Sequence, residues 1–169
     1  PLASFRDLIQ WYAAKSSNEG RVYLIDRFTQ AAELDQYRIL RILEHGLEGL
    51  RGLPMPEGWA QISTSLYDSP NPNLRRSGFS VGAVFRDGEL FQRSRTVLRD
   101  PVHSQDSLRA ALDSLAHDVA GNNLSELLPL LDQAELIRFV VPLLRRYDDL
   151  SIAQQLILRL PHWDAGNQA

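Results

Sequence analysis

The chain contains no cysteine among its 169 residues. This absence excludes disulfide bonds, thiolate metal sites and iron–sulfur clusters, because all of these need cysteine sulfur. It also excludes a c-type haem attached covalently through a Cys-x-x-Cys-His segment. Any haem is therefore expected outside these residues.

Long apolar runs are missing as well. No stretch of 18 or more consecutive apolar residues occurs, so the sequence predicts no membrane-spanning helix. The opening residues, PLASFRDLIQWYAAK, show neither a basic leader nor an apolar signal core. Because the chain opens on Pro1 and stops within an incomplete repeat, we expect a soluble piece of a longer protein that makes no membrane contact of its own.

Positive charge is not in excess. The formal net charge is -3 and the isoelectric point is about 5.8, so no global positive field attracts nucleic acid or an anionic membrane. Lys15 is the only lysine, and we interpret the use of arginine for nearly all other basic residues as a compositional bias.

Motifs of catalysis and metal binding are absent too. The chain has no Gly-x-Ser-x-Gly segment and no glycine-rich phosphate loop. No two histidines stand three or four residues apart, as a helical metal site requires; they are His45, His103, His117 and His162. We interpret them as helix-end or surface groups. The acidic pairs Asp148–Asp149 and Asp132 with Glu135 fall at predicted helix starts, where capping explains them. We predict no catalytic, metal or cofactor-binding residue.

What the chain does contain is a helical pattern. Hydrophobic residues make up 44% and charged residues 23%, which is ordinary for a globular protein. Apolar residues recur at helical spacing, and the most strand-prone segments, 21–25 and 79–85, lie inside longer helical patterns. The predicted helices cover 4–14, 22–32, 35–51, 57–67, 72–85, 89–98, 104–120, 124–131, 134–147 and 151–160. The predicted fold class is all-α.

A short phrase recurs within this pattern. It consists of an aliphatic residue, an arginine, and small or apolar positions three and six residues after the arginine. The copies are Leu74-Arg75 with Gly78 and Val81, Leu108-Arg109 with Leu112 and Leu115, and Ile137-Arg138 with Val141 and Leu144. The arginines stand 34 and 29 residues apart, a period of about 30 that is typical of stacked two-helix arrays. The sequence therefore predicts an α–α superhelix, a HEAT-like solenoid. Leu112, Leu115 and Leu144 are expected to be buried in the continuous apolar core between its helical hairpins.

The predicted organisation is one helical-repeat domain over 1–169. It comprises N-terminal helices over 1–53, HEAT-like repeats over 54–163 and a tail over 164–169. The glycine and proline cluster at 52–56 is the best internal boundary. Pro129 and Pro142 interrupt predicted helices, so we expect kinks there.

Two further features predict close packing. Small residues in the middle of the fifth helix, 77–83, indicate a tight helix crossing. Trp11, Trp59 and Trp163 are interpreted as packing groups between repeats and not as stacking platforms for bases or sugars.

An arginine-rich segment is the one candidate interaction surface. Its members are Arg75, Arg76, Arg86, Arg93, Arg95 and Arg99, against which Asp87 and Glu89 leave a local excess of four positive charges. Such a stripe could bind a phosphate backbone. The interpretation that we favour places Arg75 in the repeat phrase and the others on solvated helix faces, because the overall charge is acidic.

The pattern resembles one known family. The residues that carry the resemblance are 59–66, Pro72-Asn-Leu-Arg, Ser107-Leu-Arg-Ala-Ala-Leu-Asp-Ser-Leu, Leu127-Leu-Pro-Leu-Leu-Asp and 137–149. Between about residues 5 and 163 the chain is similar to the HEAT-like region of membrane-bound dehydrogenase-like proteins of planctomycete-type bacteria. In that family a propeller-like, sugar-dehydrogenase-like part precedes the repeats and a c-type cytochrome part follows them. The resemblance carries over no catalytic or haem residue.

Three functions compete at this point. The resemblance implies a non-catalytic scaffold or protein-interaction module in an exported, periplasmic or membrane-associated redox protein, with the flanking domains of that protein or another protein as partners. The alternative is a nucleic-acid-binding HEAT-like protein, similar to the HEAT-like DNA glycosylases, that uses the arginine-rich face. A stand-alone enzyme with an unrecognised site is third.

Overall fold

The computed structural model describes residues 5–100, 104–118 and 121–160. These residues form ten α helices and one short 3₁₀ helix, and they contain no strand, so the all-α prediction is confirmed. The helices are α1 Phe5–Ser16, α2 Asn18–Gln30, α3 Glu33–Gly46, α4 Trp59–Tyr67, α5 Pro72–Val84, α6 Gly88–Arg99, α7 Gln105–Leu115, α8 Leu124–Leu127, the 3₁₀ helix Leu128–Asp132, α9 Ala134–Leu144 and α10 Leu150–Arg159.

The chain divides into two compact units, Pro1–Leu90 and Phe91–Ala169, and each has its own packing. In the first unit α3 packs against both α1 and α5, while α2 packs against α1, α3 and α4, and α4 packs against α5. In the second unit α7 packs against α9, and the 3₁₀ helix contacts α8, α9 and α10. The division within 1–169 into N-terminal helices, repeats and tail stays a prediction.

Short polar side chains fix several helix starts. Asn71 accepts a hydrogen bond from the Asn73 backbone N–H at 3.0 Å, and Pro72 follows as the first residue of α5, as the sequence predicts. Ser104 caps α7 and Asp149 caps α10 in the same way.

Several predicted boundaries are wrong. The second helix begins at Asn18 and not at residue 22, because Ser17 caps it. The seventh helix ends at Leu115 and not at residue 120, and the ninth ends at Leu144 and not at residue 147.

The third helix ends at Gly46 and not at residue 51, because the chain turns over residues 47–49 and Gly49 adopts a left-handed φ of +79°. That helix also begins at Glu33, so Asp35 lies in its first turn and is not its cap. Acidic residues in the first turn favour a helix through its dipole without capping it.

The two helix prolines behave differently. At Pro129 the predicted eighth helix changes from α to 3₁₀, with the proline in the first residues of the 3₁₀ helix. Pro142 lies inside α9, which continues to Leu144. The backbone therefore changes its helical type only at the first of these prolines.

The repeat-phrase leucines are buried as predicted. Leu112, Leu115 and Leu144 expose 1%, 3% and 2% of their surface. Val141, at the matching position of the third copy, is only half-buried. The described residues include no helix with the length and apolar character needed to cross a membrane.

The close crossing of α4 and α5 is also confirmed. A Cβ built on Gly78 would lie 2.9 Å from Leu66 Cβ, and one on Gly82 would overlap Tyr67 Oη. Nearby, Trp59 is fully buried and meets Phe85 edge-on, with ring centroids 5.2 Å apart. Trp59 is thus a packing group and that part of the prediction is confirmed, while its place between repeats stays a prediction. Trp163 lies outside the described residues.

Candidate interaction surface

The six arginines of the candidate surface fall in both units. Arg75 and Arg76 lie in the first turns of α5, and Arg86 directly follows that helix. The other three, Arg93, Arg95 and Arg99, lie on α6 beyond Leu90, where the first unit ends.

In the first unit the arginines are exposed, and two of them contact loops. Arg75 donates a hydrogen bond from Nη1 to the Ser69 backbone carbonyl at 2.7 Å. Arg86 has a left-handed φ of +55°, and its guanidinium covers Gly52, where any Cβ would collide with it. Both side chains thus hold a loop against the helices, and the guanidinium of Arg76 is open to solvent.

Asp87, beside this group, is a buried carboxylate. It is 4% exposed, and its Oδ2 accepts hydrogen bonds from Trp59 Nε1 at 2.9 Å and Tyr67 Oη at 2.6 Å. Its Oδ1 accepts from the Glu89 backbone N–H at 3.0 Å at the start of α6. Burial, followed by the hydrogen bond to Asp87, raises the pKa of Tyr67 well above its ordinary value. The carboxylate therefore fastens α4 to the start of α6 without a cationic hydrogen-bond donor.

In the second unit Arg95 belongs to a polar network. Its guanidinium pairs with Asp118, which is 8% exposed, and its Nε donates to Asn123 Oδ1 at 2.8 Å. Asn123 is 1% exposed, and its backbone N–H donates to Tyr147 Oη at 3.2 Å. The Tyr147 hydroxyl donates in turn to the Gly121 carbonyl at 3.1 Å. This network links α6 to the segments that precede α8 and follow α9.

Arg99, one turn further along α6, pairs with a second buried carboxylate. Its Nε donates to Glu126 Oε1 at 3.0 Å, and Glu126 is only 3% exposed. Ser125 Oγ donates to the other carboxylate oxygen at 2.7 Å. Burial acts to raise the pKa of Glu126, but the hydrogen bonds from Ser125 and Arg99 outweigh it, so the pKa lies below its ordinary value.

These contacts change the charge balance of the candidate surface. The sequence offered Asp87 and Glu89 as the opposing acids, whereas Arg95 and Arg99 are opposed by Asp118 and Glu126. Those acids are 23 and 27 residues away along the chain. The spacing of the two arginines places both on one face of α6, but it does not identify the acids that they pair with.

The histidine and acidic-pair predictions are confirmed in part. His45 lies in the last turn of α3 and His117 directly after α7, so both are helix-end groups, while His103 and His162 lie outside the described residues. The capping role of Asp149 is confirmed, but that of Asp132 is wrong. Asp132 ends the 3₁₀ helix, and its Oδ1 accepts from Arg159 Nε at 2.7 Å.

No group of three metal-ligating side chains occurs in the part of the chain that the structure describes. The arrangement on these residues is a set of buried carboxylates and amides whose hydrogen bonds join neighbouring helices. Comparison with family models, with curated proteins and with solved structures gives no match for the chain.

Proposed function

We propose that the chain is a non-catalytic scaffold or protein-interaction module, a HEAT-like helical solenoid within a larger exported dehydrogenase- or cytochrome-like protein. The observation that carries this proposal is the spacing of contacts between helices. In each unit, helices that are two apart in the chain are joined by residues about 30 positions apart. This spacing is expected where a repeat of that length contacts its immediate neighbours.

Three hydrogen bonds give this spacing in the first unit. Arg38 Nη2 donates to Asp7 Oδ2 at 2.8 Å, and Trp11 Nε1 donates to the His45 carbonyl at 3.1 Å, across 31 and 34 residues. Since both contacts advance in the same direction along α1 and α3, these helices run parallel. Between α3 and α5, Ser77 Oγ donates to Glu44 Oε2 at 2.9 Å, across 33 residues.

The second unit repeats the arrangement between α7 and α9. The Arg109 guanidinium lies 5.3 Å from the centre of the Phe139 ring, and Arg146 donates to the Ala116 carbonyl, each across 30 residues. A constant offset along both helices again means that they run parallel. Arg138, the next repeat-phrase arginine, lies 4.8 Å from the same ring. Two successive copies of the phrase therefore meet at one aromatic side chain.

The polar clusters also favour a scaffold over the nucleic-acid alternative. Asp87, Asp118 and Glu126 each accept a hydrogen bond from a donor on a neighbouring element. Two of the six arginines have their charge offset by buried carboxylates, which leaves less positive charge for phosphate. A solenoid can hold flanking domains at a set distance, and in the proposed parent those domains are its partners.

A deletion in repeat register tests the solenoid. Removing residues 109–137 joins Leu108 to Arg138 and so preserves the repeat phrase, whereas removing residues 109–123 deletes half a repeat. We expect the first variant to keep helical circular dichroism and cooperative urea unfolding, and the second to lose both for the second unit. Equal loss of structure in the two variants would contradict the repeat architecture.

Two measurements test the role. Elemental analysis and visible absorbance of the purified chain should show no stoichiometric metal and no haem, and a bound metal at one equivalent would count against a non-catalytic scaffold. Sequencing the gene on both sides of this segment should show a propeller-like part before it and a Cys-x-x-Cys-His motif after it. A gene without both parts would remove the dehydrogenase parent from the proposal.

A further inference from the structure

Two arginines of the repeat phrase share one aromatic ring in the second unit. The guanidinium carbon of Arg109, on α7, lies 5.3 Å from the centre of the Phe139 ring, and that of Arg138, on α9, lies 4.8 Å from it. The two guanidinium groups are therefore no farther apart than the sum of these distances. Attraction between a cation and the face of an aromatic ring holds each group in place.

Neither guanidinium of this pair is hydrogen-bonded to a carboxylate of the described residues. The Asp106 side chain, which forms an ion pair with Arg109, is 96% exposed, and its Oδ1 lies 3.9 Å from Nη1, beyond hydrogen-bond distance. Arg109 Nε is buried without a hydrogen-bond partner, although the side chain as a whole is 35% exposed. Arg138 is exposed and makes no hydrogen bond or ion pair with any residue that the structure describes. Both groups therefore keep N–H donors that are open to an added anion.

Three other arginines of the same unit have an acidic partner of their own. The pairs are Arg95 with Asp118, Arg99 with Glu126 and Arg159 with Asp132. Exposed acids also lie one turn from the ring-bound pair, at Asp113 and Glu135, but in the described structure they form no ion pair with it. The fold thus supplies close carboxylates to these three arginines and none to Arg109 and Arg138.

Such a pair favours acidic partners for three reasons. Two positive groups at close range repel each other, and an anion between them reduces that repulsion. A guanidinium also presents its N–H groups in a planar fork that matches the two oxygens of a carboxylate. Finally, contact with Phe139 already orders both side chains, so less side-chain entropy is lost on binding than at a free arginine.

Arg145 extends this cationic surface along α9. It directly follows the helix in helical conformation, seven residues after Arg138, so both arginines lie on one face about 10 Å apart. Its side chain is exposed and has neither an ion pair nor a hydrogen bond within the described parts of the chain. An extended peptide rises about 3.3 Å per residue, so a segment of roughly four to six residues spans this distance.

We propose that Arg109, Arg138 and Arg145 form a docking site for an acidic peptide segment of a partner protein, with Phe139 ordering the first two guanidinium groups. The inference gives the partner chemistry of the proposed interaction module, and it rests on that proposed function. Because exposed ion pairs are individually weak, a short segment binds weakly, and its affinity falls as salt is added.

Fluorescence anisotropy with a labelled hexaglutamate peptide at about 20 mM salt tests the site. Arg109→Gln and Arg138→Gln should each weaken binding roughly two- to fivefold, as expected for the loss of one exposed ion pair. Phe139→Leu keeps every charge and should also weaken binding, because it removes the ring that orders the two arginines. Circular dichroism checks that each variant keeps its helices. The matched control is Arg76→Gln, an equal change of charge on the exposed side of α5, which should bind like the wild type.

The buried Nε–H group of Arg109 reports where the peptide binds. Its signal in proton–nitrogen NMR spectra, assigned by its loss in Arg109→Gln, should shift when hexaglutamate is added. Hexaglutamine, a neutral peptide of the same length, should leave the signal in place.

Three outcomes would overturn the proposal. Hexaglutamate that does not bind at about 1 mM would show that these arginines hold no acidic segment. Binding that is unchanged in Phe139→Leu and in both arginine variants would place the peptide elsewhere. A DNA duplex that binds more tightly than hexaglutamate, with the same dependence on Arg138, would assign the site to phosphate. The in-register deletion tests the repeat architecture without any peptide, so a failure of peptide binding and a failure of the scaffold are separate results.

Discussion

Three buried carboxylates join neighbouring elements of the described chain. Asp87, Asp118 and Glu126 are each less than 10% exposed, and each accepts hydrogen bonds from neighbouring elements. A buried charge is tolerated only when such bonds replace those made with water. Removing Asp87 therefore leaves its buried donors without this acceptor, which costs more than the bonds themselves contributed.

Asp87→Ala should destabilise the first unit strongly. The change removes the shared acceptor of the Trp59 N–H and the Tyr67 hydroxyl in a buried place, which costs about 2–6 kcal/mol at roughly 1–3 kcal/mol for each of the two groups. Urea unfolding followed by tryptophan fluorescence measures the loss. Asp26→Ala, an exposed change on α2, is the control and should alter the unfolding free energy by less than about 0.5 kcal/mol. Equal effects of the two changes would contradict the role of Asp87.

The carboxylate of Glu126 should make the second unit sensitive to acid. Because its folded-state pKa lies below the ordinary 4.5, the unfolded chain takes up the proton first as the pH falls. The stabilisation is complete above pH 4.5 and is lost as the pH falls through the folded-state pKa. Glu126→Gln should therefore be less stable than wild type by about 1–2 kcal/mol at pH 7, a range that allows for solvent screening at the exposed Arg99. This difference in unfolding free energy should shrink as the pH falls from 5 to 3.

Urea unfolding at several pH values between 3 and 7 checks this behaviour. Glu135→Gln, on the exposed side of α9, provides the matched control. Its unfolding free energy should differ little from that of the wild type at every pH. A gap for Glu126→Gln that does not change with pH would show that the carboxylate contributes nothing through its charge.

At the scale of the helices, local chemistry was enough to predict the start of α5 but not the starts of α2 and α3 or the end of α3. Asn71 and Pro72 predict the start of α5, because a capping residue and a first-turn proline stabilise a helix start that lies within three residues of them. The end of α3 was missed because the apolar spacing runs on to Leu47 and Leu50, while the helix stops at Gly46. Leu47 is buried after the helix has ended, so its burial follows from packing and not from helical periodicity.

The two helix prolines allow a paired test at this scale. Pro142 stands near the end of α9 and cannot donate to the Arg138 carbonyl, so Pro142→Ala should stabilise the second unit by roughly 1–3 kcal/mol. Pro129 is the second residue of the 3₁₀ helix, where its missing N–H costs little. Pro129→Ala should leave the unit unchanged or lower its stability by about 0.4–1 kcal/mol through the unfolded chain. Thermal unfolding measures both effects. A variant Pro129→Ala that is more stable than Pro142→Ala would contradict these roles of the two prolines.

For the whole molecule, charge predicts little affinity for nucleic acid. The net charge is -3, and Arg95 and Arg99 are opposed by buried carboxylates. Fluorescence anisotropy with a labelled DNA duplex at about 50 mM salt should show no binding at tens of micromolar protein. Salt-sensitive binding that is lost in Arg76→Glu, a change on the exposed face of α5, would revive the nucleic-acid alternative.

For the whole molecule, the sequence predicts which side chains are buried but not which distant residues pair with each other. Burial of Leu112, Leu115 and Leu144 was predictable, because a helical stripe records which side faces the core. The pairing of Arg95 with Asp118 was not, because nothing local to either residue records a partner 23 positions away. The candidate surface was consequently found as a run of arginines, while the acids that oppose two of them were missed.

The offset of about 30 residues between joined helices also has a consequence for synthesis on the ribosome. Asp7 and Arg38 are 31 residues apart, and a ribosome adds that many in roughly 2–6 seconds. Such a short separation carries a small loop-closure cost. We therefore expect α1 and α3 to join as soon as both have left the exit tunnel, while later helices are still being translated.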